Sequence, residues 1–184
     1  MRLRFLSSNP NKIAEARAIL CAAGYELTPV RRKLDEIQSD DVELLVRDKS
    51  IRAFRLIGRP VFVEHTGLFI DALNGFPGGL TQIFWNRLGP DRVARLFSRE
   101  DGGGAVARTR IGYCDGRCVR QFEGEVRGRL APEPRGDSSQ WDCVFIPEGS
   151  NQTLAEMGAR KNEVSMRRKA LDRFAAFLSE AGDD

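Results

Sequence analysis

Two short stretches hold residue types that can do chemistry. The first is SSNPNK, residues 7–12, which places two hydroxyls, two amides, a proline and a lysine directly after an apolar run. Small polar side chains at a strand end, followed by a helix beginning near Asn11, gather free backbone N–H groups and a positive helix end around one point, with Lys12 in the first turn. That is an anion site in kind, although it lacks the glycines and spacing of a Walker loop, and an ordinary capped helix uses the same residues. The second stretch is VFVEHTGLFIDALNGFPGG, residues 61–79, with the only histidine of the chain, His65, after a β-branched apolar run and before Thr66-Gly67. Strand ends followed by a glycine turn are where α/β folds carry catalytic groups, and a lone histidine there is also compatible with a packed or surface role.

Something must hold these residues in place. MRLRFLS reads as a short strand, and Asn11 to Ala23 carries Ile13, Ala16, Ile19 and Leu20 at helical spacing, so the two form a strand-to-helix unit. A second helical pattern covers Asp41 to Leu56, with Val42, Leu45, Ile51 and Phe54 on one side. Val61-Phe62-Val63 reads as a buried strand, and Asp91 to Phe97 as a short helix started by Pro90. Arg108 to Tyr113 and Cys118 to Leu130 alternate around the Asp115-Gly116 turn, which predicts an antiparallel hairpin. Trp141 to Ile146 is expected to be a further strand and Ser165 to Leu178 a final amphipathic helix. The expected fold is α/β, an elongated mixed β-sheet flanked by helices, with two lobes and a cleft between them. Residues 1–184 form a single domain on this reading, with the second lobe at about 105–140.

Composition narrows the function classes. Hydrophobic residues make up 41% and charged residues 30% of 184, and no apolar run approaches the roughly 18 residues of a membrane span. With 29 Lys plus Arg against 26 Asp plus Glu, the formal charge of +3 does not call for nucleic acid. Arginine dominates the basic set, and its planar fork suits carboxylates and phosphates. Cys21, Cys114, Cys118 and Cys143 are too dispersed for a disulfide framework, and MRLRFLSSNP lacks a signal-peptide core, so a cytoplasmic location is expected. Cys114 and Cys118 flank a turn, but a zinc site needs about four ligands and one histidine is available.

Four motifs give the chain a resemblance to the inosine triphosphate pyrophosphatase family, running in one order from Phe5 to Leu178. SSNPNK resembles that family's Thr/Ser-x-Asn-x-x-Lys phosphate loop, and LDEIQ, 34–38, its Leu-Pro-Glu-x-Gln segment. VEHTGLFIDALNGFPG is similar to its Val-Glu-Asp-Ser/Thr-Gly-Leu stretch. WDCVFIPEGSNQTLAEMGARKNEVSMRRKAL, 141–171, is similar to its Trp-Asp-Pro, Gln-Thr-x-Ala-Glu-Met and Lys-Asn-x-x-Ser-His-Arg series. The resemblance implies hydrolysis of ITP, dITP and XTP to monophosphate and pyrophosphate, a homodimer, and a magnesium ion. It implies that Ser7, Asn9, Lys12 and Lys49 contact the triphosphate, that Glu36 binds the metal, and that Trp141, Asp142, Lys161, Ser165 and Arg167 surround the base. An arginine donates to the keto oxygen of hypoxanthine but meets a donor on the amino group of adenine, which separates the two bases by leaving a polar group unpaired.

The departures are as informative. His65 stands where the family carries a metal-binding aspartate implicated in activating water, and hard Mg²⁺ prefers oxygen ligands. Glu64, the other candidate catalytic residue, is retained, but alternation along a strand turns it to the opposite face from His65. Ser139-Gln140 replace a Phe-Gly pair, Met166 replaces a histidine and Cys143 a proline. The expectation from these residues is a protein that binds deaminated purine nucleoside triphosphates with impaired hydrolysis. It would act as a nucleotide-sensing subunit with a protein effector partner, as family members in bacterial antiviral defence do. The alternative is a working pyrophosphatase using Glu36, Glu64 and His65.

Overall fold

The computed structural model describes residues 2–98, 103–138 and 140–181. In chain order its elements are β1 (Arg2–Leu6), α1 (Pro10–Ala22), β2 (Glu26–Val30), α2 (Val42–Ile57), β3 (Val61–Ile70), β4 (Pro77–Gly78), α3 (Thr81–Phe97), β5 (Gly104–Cys114), β6 (Val119–Leu130), β7 (Phe145–Pro147), α4 (Lys161–Val164) and α5 (Met166–Glu180). The strands form one mixed sheet in the order β2-β1-β3-β5-β6-β7, with β4 paired to β3. β1 runs parallel to β2 and β3, and the other pairings are antiparallel. The expected mixed α/β sheet flanked by helices is what the chain forms.

Two helical layers sandwich the sheet because its strands alternate. Phe62 packs with Leu3 and Phe5 of β1 against Ile13, Ala16 and Leu20 of α1 and Ala170, Leu171 and Phe174 of α5. Val61 and Val63 point the other way, onto Val42, Leu45, Val46 and Ala53 of α2. A third cluster joins the far end of β3, through Leu68 and Ile70, to Trp85 and Val93 of α3, Val126 and Leu130 of β6, and Trp141, Phe145 and Leu154.

β3 is longer than its apolar triplet suggests. It touches β1 in register only at Phe5–Phe62, but it pairs with β5 continuously from Val61–Cys114 to Ile70–Ala105. His65 is therefore inside a strand and not at its end, because β5 satisfies the backbone of the polar Glu64-His65-Thr66 segment. Gly67, expected to turn the chain, instead makes room for β4, since a Cβ there would lie 2.5 Å from the Gly78 carbonyl oxygen. Because β1 stops at Leu6 while β3 continues, a cleft opens beside Glu64 and His65, past the carboxyl end of β1.

Three further elements differ from expectation. Trp141–Cys143 is a single 3₁₀ turn closed by Val144 N–H to Trp141 O, and only Phe145–Pro147 reach β6 as a strand. The helix at Asp91–Phe97 is present, but helical residues begin at Thr81, and Gly89 (φ 71°, ψ 169°) breaks the element before Pro90 restarts it. β2 was hidden by Pro29, which a ladder tolerates here because β2 is the sheet edge. The hairpin is present, longer than its alternation indicated, with Cys114 opposite Val119.

Candidate functional site

The alternation that builds the core also distributes the charges. Glu64 follows the Phe62 side, toward α1 and α5, and its carboxylate is buried. Arg167, in the first turn of α5, grips it with two donors, Nε to Oε2 at 2.8 Å and Nη2 to Oε1 at 2.9 Å. Thr66 Oγ1 donates to Oε1 at 2.8 Å, and Lys12 Nζ, from α1, lies 3.2 Å away. Burial opposes ionisation of Glu64, but Arg167 and Lys12 hold it well below the usual carboxylate range. Burial lowers the Lys12 ammonium, against the pull of Glu64.

Arg167 also donates to Glu15, a buried acid of α1 that the motifs did not mark. Glu15 in turn pairs with Lys161 at 2.7 Å, and Lys161 lies 3.5 Å from Asp142. The Arg167 fork thus has three donors committed to carboxylates and two N–H groups left for a ligand. The spacing of Glu15, three residues after Lys12 among buried Ile13 and Ala16, was a detectable signal: a buried acid on a helix requires a cationic partner.

His65 follows Val63 to the α2 side. Its Nδ1 is 3.6 Å from Glu36 Oε2, in the loop before α2. Lys49 Nζ, from α2, meets Glu36 Oε1 at 2.7 Å and donates to the backbone oxygen of Glu64 at 3.1 Å. Burial resists ionisation of Glu36, yet His65 and Lys49 bring it down to about 2. Burial, reinforced by Lys12 and Lys49, lowers the His65 imidazole despite the Glu36 carboxylate. Its Nε2 is buried with no hydrogen-bond partner among the described residues.

Local sequence fixes the rest. Asn9 caps α1, its side-chain oxygen accepting from the backbone N–H of Asn11 at 2.9 Å and of Lys12 at 3.2 Å, which holds Lys12 at the helix mouth. Ser165 caps α5 in the same way, accepting from Arg168 N–H at 3.1 Å. Trp141 meets Phe145 edge-on, with ring centroids 5.9 Å apart. Asn9, Lys12, Trp141, Asp142, Lys161, Ser165 and Arg167 line one cavity, and Lys12, Glu36, Lys49, Glu64 and His65 line a second. The two adjoin, sharing Lys12, Thr66 and Gln82 as wall.

Of the binding, catalytic and metal candidates named from sequence, Ser7 alone lines neither cavity; its hydroxyl accepts from Asn9 N–H at 3.3 Å and shapes the loop. Gln82 and Lys33, both cavity-lining, carried no signal in their local sequence. Met166 lines the first cavity, Cys143 is buried with its thiol pushed up to about 11 by burial and Asp142, and Ser139 lies outside the described residues. Among the described residues no group of three or more His, Cys, Asp or Glu side chains gathers to hold a metal. The magnesium expected at Glu36 meets one carboxylate and one imidazole, while Glu64 is turned away and held by Arg167. Mg²⁺ takes one or two carboxylates with water and phosphate oxygens elsewhere, so Glu36 suits it while the His65 nitrogen does not.

The cation-walled cleft lies beyond the carboxyl end of the central parallel strand, the place where open α/β sheets take their ligands. The chain belongs to the Ham1 family, whose sequence pattern matches residues 3–177. It is 40% identical over 181 residues to a Methanopyrus kandleri protein named dITP/XTP pyrophosphatase, covering 96% of each chain. It is also 40% identical over 175 residues to inosine triphosphate pyrophosphatase 2 of Trypanosoma cruzi, covering 92% of this chain and 88% of that one. A HAM1 protein from Coxiella burnetii shares the fold, with a TM-score of 0.81 at 23% identity over 98% of this chain and 99% of the other. No helix among the described residues is long and apolar enough to cross a membrane.

Proposed function

We propose that this protein is a pyrophosphatase for non-canonical purine nucleoside triphosphates, with dITP and XTP as leading substrates and monophosphate and pyrophosphate as products. The observation that carries the reading is the pair of adjoining cavities that share Lys12. One is walled by Trp141, Asp142, Lys161 and Arg167 and suits a flat polar base; the other, with Lys49 and Lys12, suits a polyphosphate. A nucleotide spanning both puts its α-phosphate near the shared wall. Water attacks the α-phosphorus there, a new P–O bond forms, and the bond to the α,β-bridging oxygen breaks, releasing pyrophosphate. Lys12 and Lys49 stabilise the negative charge that moves onto the leaving group. Glu64 holds Lys12 and Arg167 in position, because its oxygens are already occupied.

The names carried by the relatives support turnover over the alternative of a sensing subunit with an effector partner, which rested on His65, the departures around the base and the resemblance. The deciding assay incubates the pure protein with dITP, XTP, ITP and ATP and a panel of divalent ions, and measures pyrophosphate and monophosphate in parallel with binding. Pyrophosphate release from dITP or XTP, well above that from ATP, is expected. Tight binding without turnover under every ion would replace the proposal with the sensing role.

A further inference from the structure

A further cavity, of about 360 Å³, opens between α2 and the turn of the β5–β6 hairpin, and it shares no wall residue with the two cavities of the cleft. Arg47, Ile51 and Arg55 follow one another at single-turn spacing on one face of α2, while Lys49 on the same helix lines the cleft. Arg117 comes across from the hairpin turn. That turn is seated on the helix: a Cβ on Gly116, whose φ is 95°, would fall 2.5 Å from the Phe54 ring, so glycine is what lets the two lie together. Ile51, Phe54 and Val119 are half-buried and the three arginines exposed, which makes an apolar floor under a cationic rim.

No carboxylate lines this cavity, although each arginine has an acid close by in sequence. Glu43 meets Arg110 at 3.1 Å and Asp48 meets Arg52 at 2.9 Å. Asp115 accepts from the backbone N–H groups of Arg117 at 2.8 Å and Cys118 at 2.9 Å. Like charges gathered round one concavity repel one another and focus a positive field into it, and a bound anion relieves both. We infer that this cavity binds a nucleoside monophosphate, at a site separate from the cleft. Guanidinium forks match phosphate oxygens two at a time, and the Phe54 floor suits a flat base. Inorganic phosphate would leave that floor bare, whereas the volume falls in the range that takes a small organic ligand. The site stands whether or not the cleft hydrolyses a triphosphate, since no residue is common to them.

Cys118 is in the wall of this cavity and exposed, and Cys21, also exposed, is outside it on α1, so one chain carries both the reporter and its control. Alkylation of the two thiols by N-ethylmaleimide is timed by mass spectrometry with AMP, adenosine or inorganic phosphate present. AMP at a few millimolar should slow Cys118 about threefold or more, as a millimolar dissociation constant requires, and leave Cys21 unchanged. Adenosine and phosphate should each protect much less. Arg55→Gln with Arg117→Gln, checked for a parental melting temperature, should abolish the protection, and each single variant should weaken it. Lys12→Ala should retain it, because Lys12 belongs to the cleft. Cys118 alkylated at one rate with and without AMP, protection that survives the paired arginine changes, phosphate protecting as well as AMP, or protection lost in Lys12→Ala would each overturn the inference. A thymidine oligonucleotide protecting Cys118 better than AMP at equal phosphate concentration would also overturn it, by making the occupant a nucleic-acid backbone.

Discussion

Replacing Glu64 with glutamine removes the buried charge on which the centre of the site depends. The wild-type carboxylate accepts two hydrogen bonds from Arg167 and one from Thr66 and faces Lys12 at 3.2 Å, all within the interior. Glutamine preserves the shape but supplies one acceptor oxygen, and its amide N–H groups would confront the Arg167 fork. Glu15 remains to neutralise Arg167, which leaves Lys12 without its counter-charge. Breaking one partner of a buried pair costs about 3–5 kcal/mol, and in a chain of this length each kcal/mol moves the melting temperature by about 2–4 °C. Glu64→Gln should therefore melt roughly 6–20 °C below the parent in calorimetry. Acid supplies an independent check. The folded-state pKa of Glu64 is depressed, so its stabilisation is fully present above the ordinary carboxylate pKa and is lost as pH falls below that value. The parent should lose stability steeply on acidification below about pH 4, and the variant less steeply over the same interval. A melting temperature within about 2 °C of the parent, with an unchanged acid slope, would show that the Glu64 network is not the stabilising centre described here.

Other outcomes follow from the same geometry. Lys12→Ala and Lys49→Ala should each weaken triphosphate binding by about 1.5–3 kcal/mol in calorimetry, the value of a charge-assisted contact, and parental affinity in both would remove the phosphate assignment. Arg167→Met paired with Glu64→Gln should recover part of the stability lost by Glu64→Gln alone, because no guanidinium then confronts the amide N–H groups of the glutamine; additive losses in urea titrations would argue against direct coupling. Phe76 and Ile83 are 44% and 46% exposed on the segment that precedes and begins α3, so light scattering at micromolar concentration should give a dimer mass that Phe76→Ser with Ile83→Ser reduces to a monomer. A monomeric parent would exclude that face as a dimer contact.

Sequence by itself determined the elements with strong local periodicity. The apolar spacing of α1, α2 and α5 and the alternation of the β5–β6 hairpin are properties of consecutive residues, so they were readable, as was the opposition of Glu64 and His65 across β3. The capped helix start at SSNPNK was legible for the same reason, since Asn9 caps α1 through bonds to the next few residues. What spans long sequence separations was decided only in three dimensions. β3 runs through His65 because β5 supplies its backbone partners, and no local pattern encodes a partner more than forty residues away. The bidentate grip of Arg167 on Glu64 joins residues 103 positions apart, and the Arg167–Glu15 pair joins residues 152 apart. Which carboxylate is consumed by a guanidinium and which is left beside the imidazole depends on how α2 and α5 pack on opposite faces of one strand. The residue types could suggest a phosphate site and a metal site; only packing decided that Glu64 belongs to the arginine and Glu36 to His65.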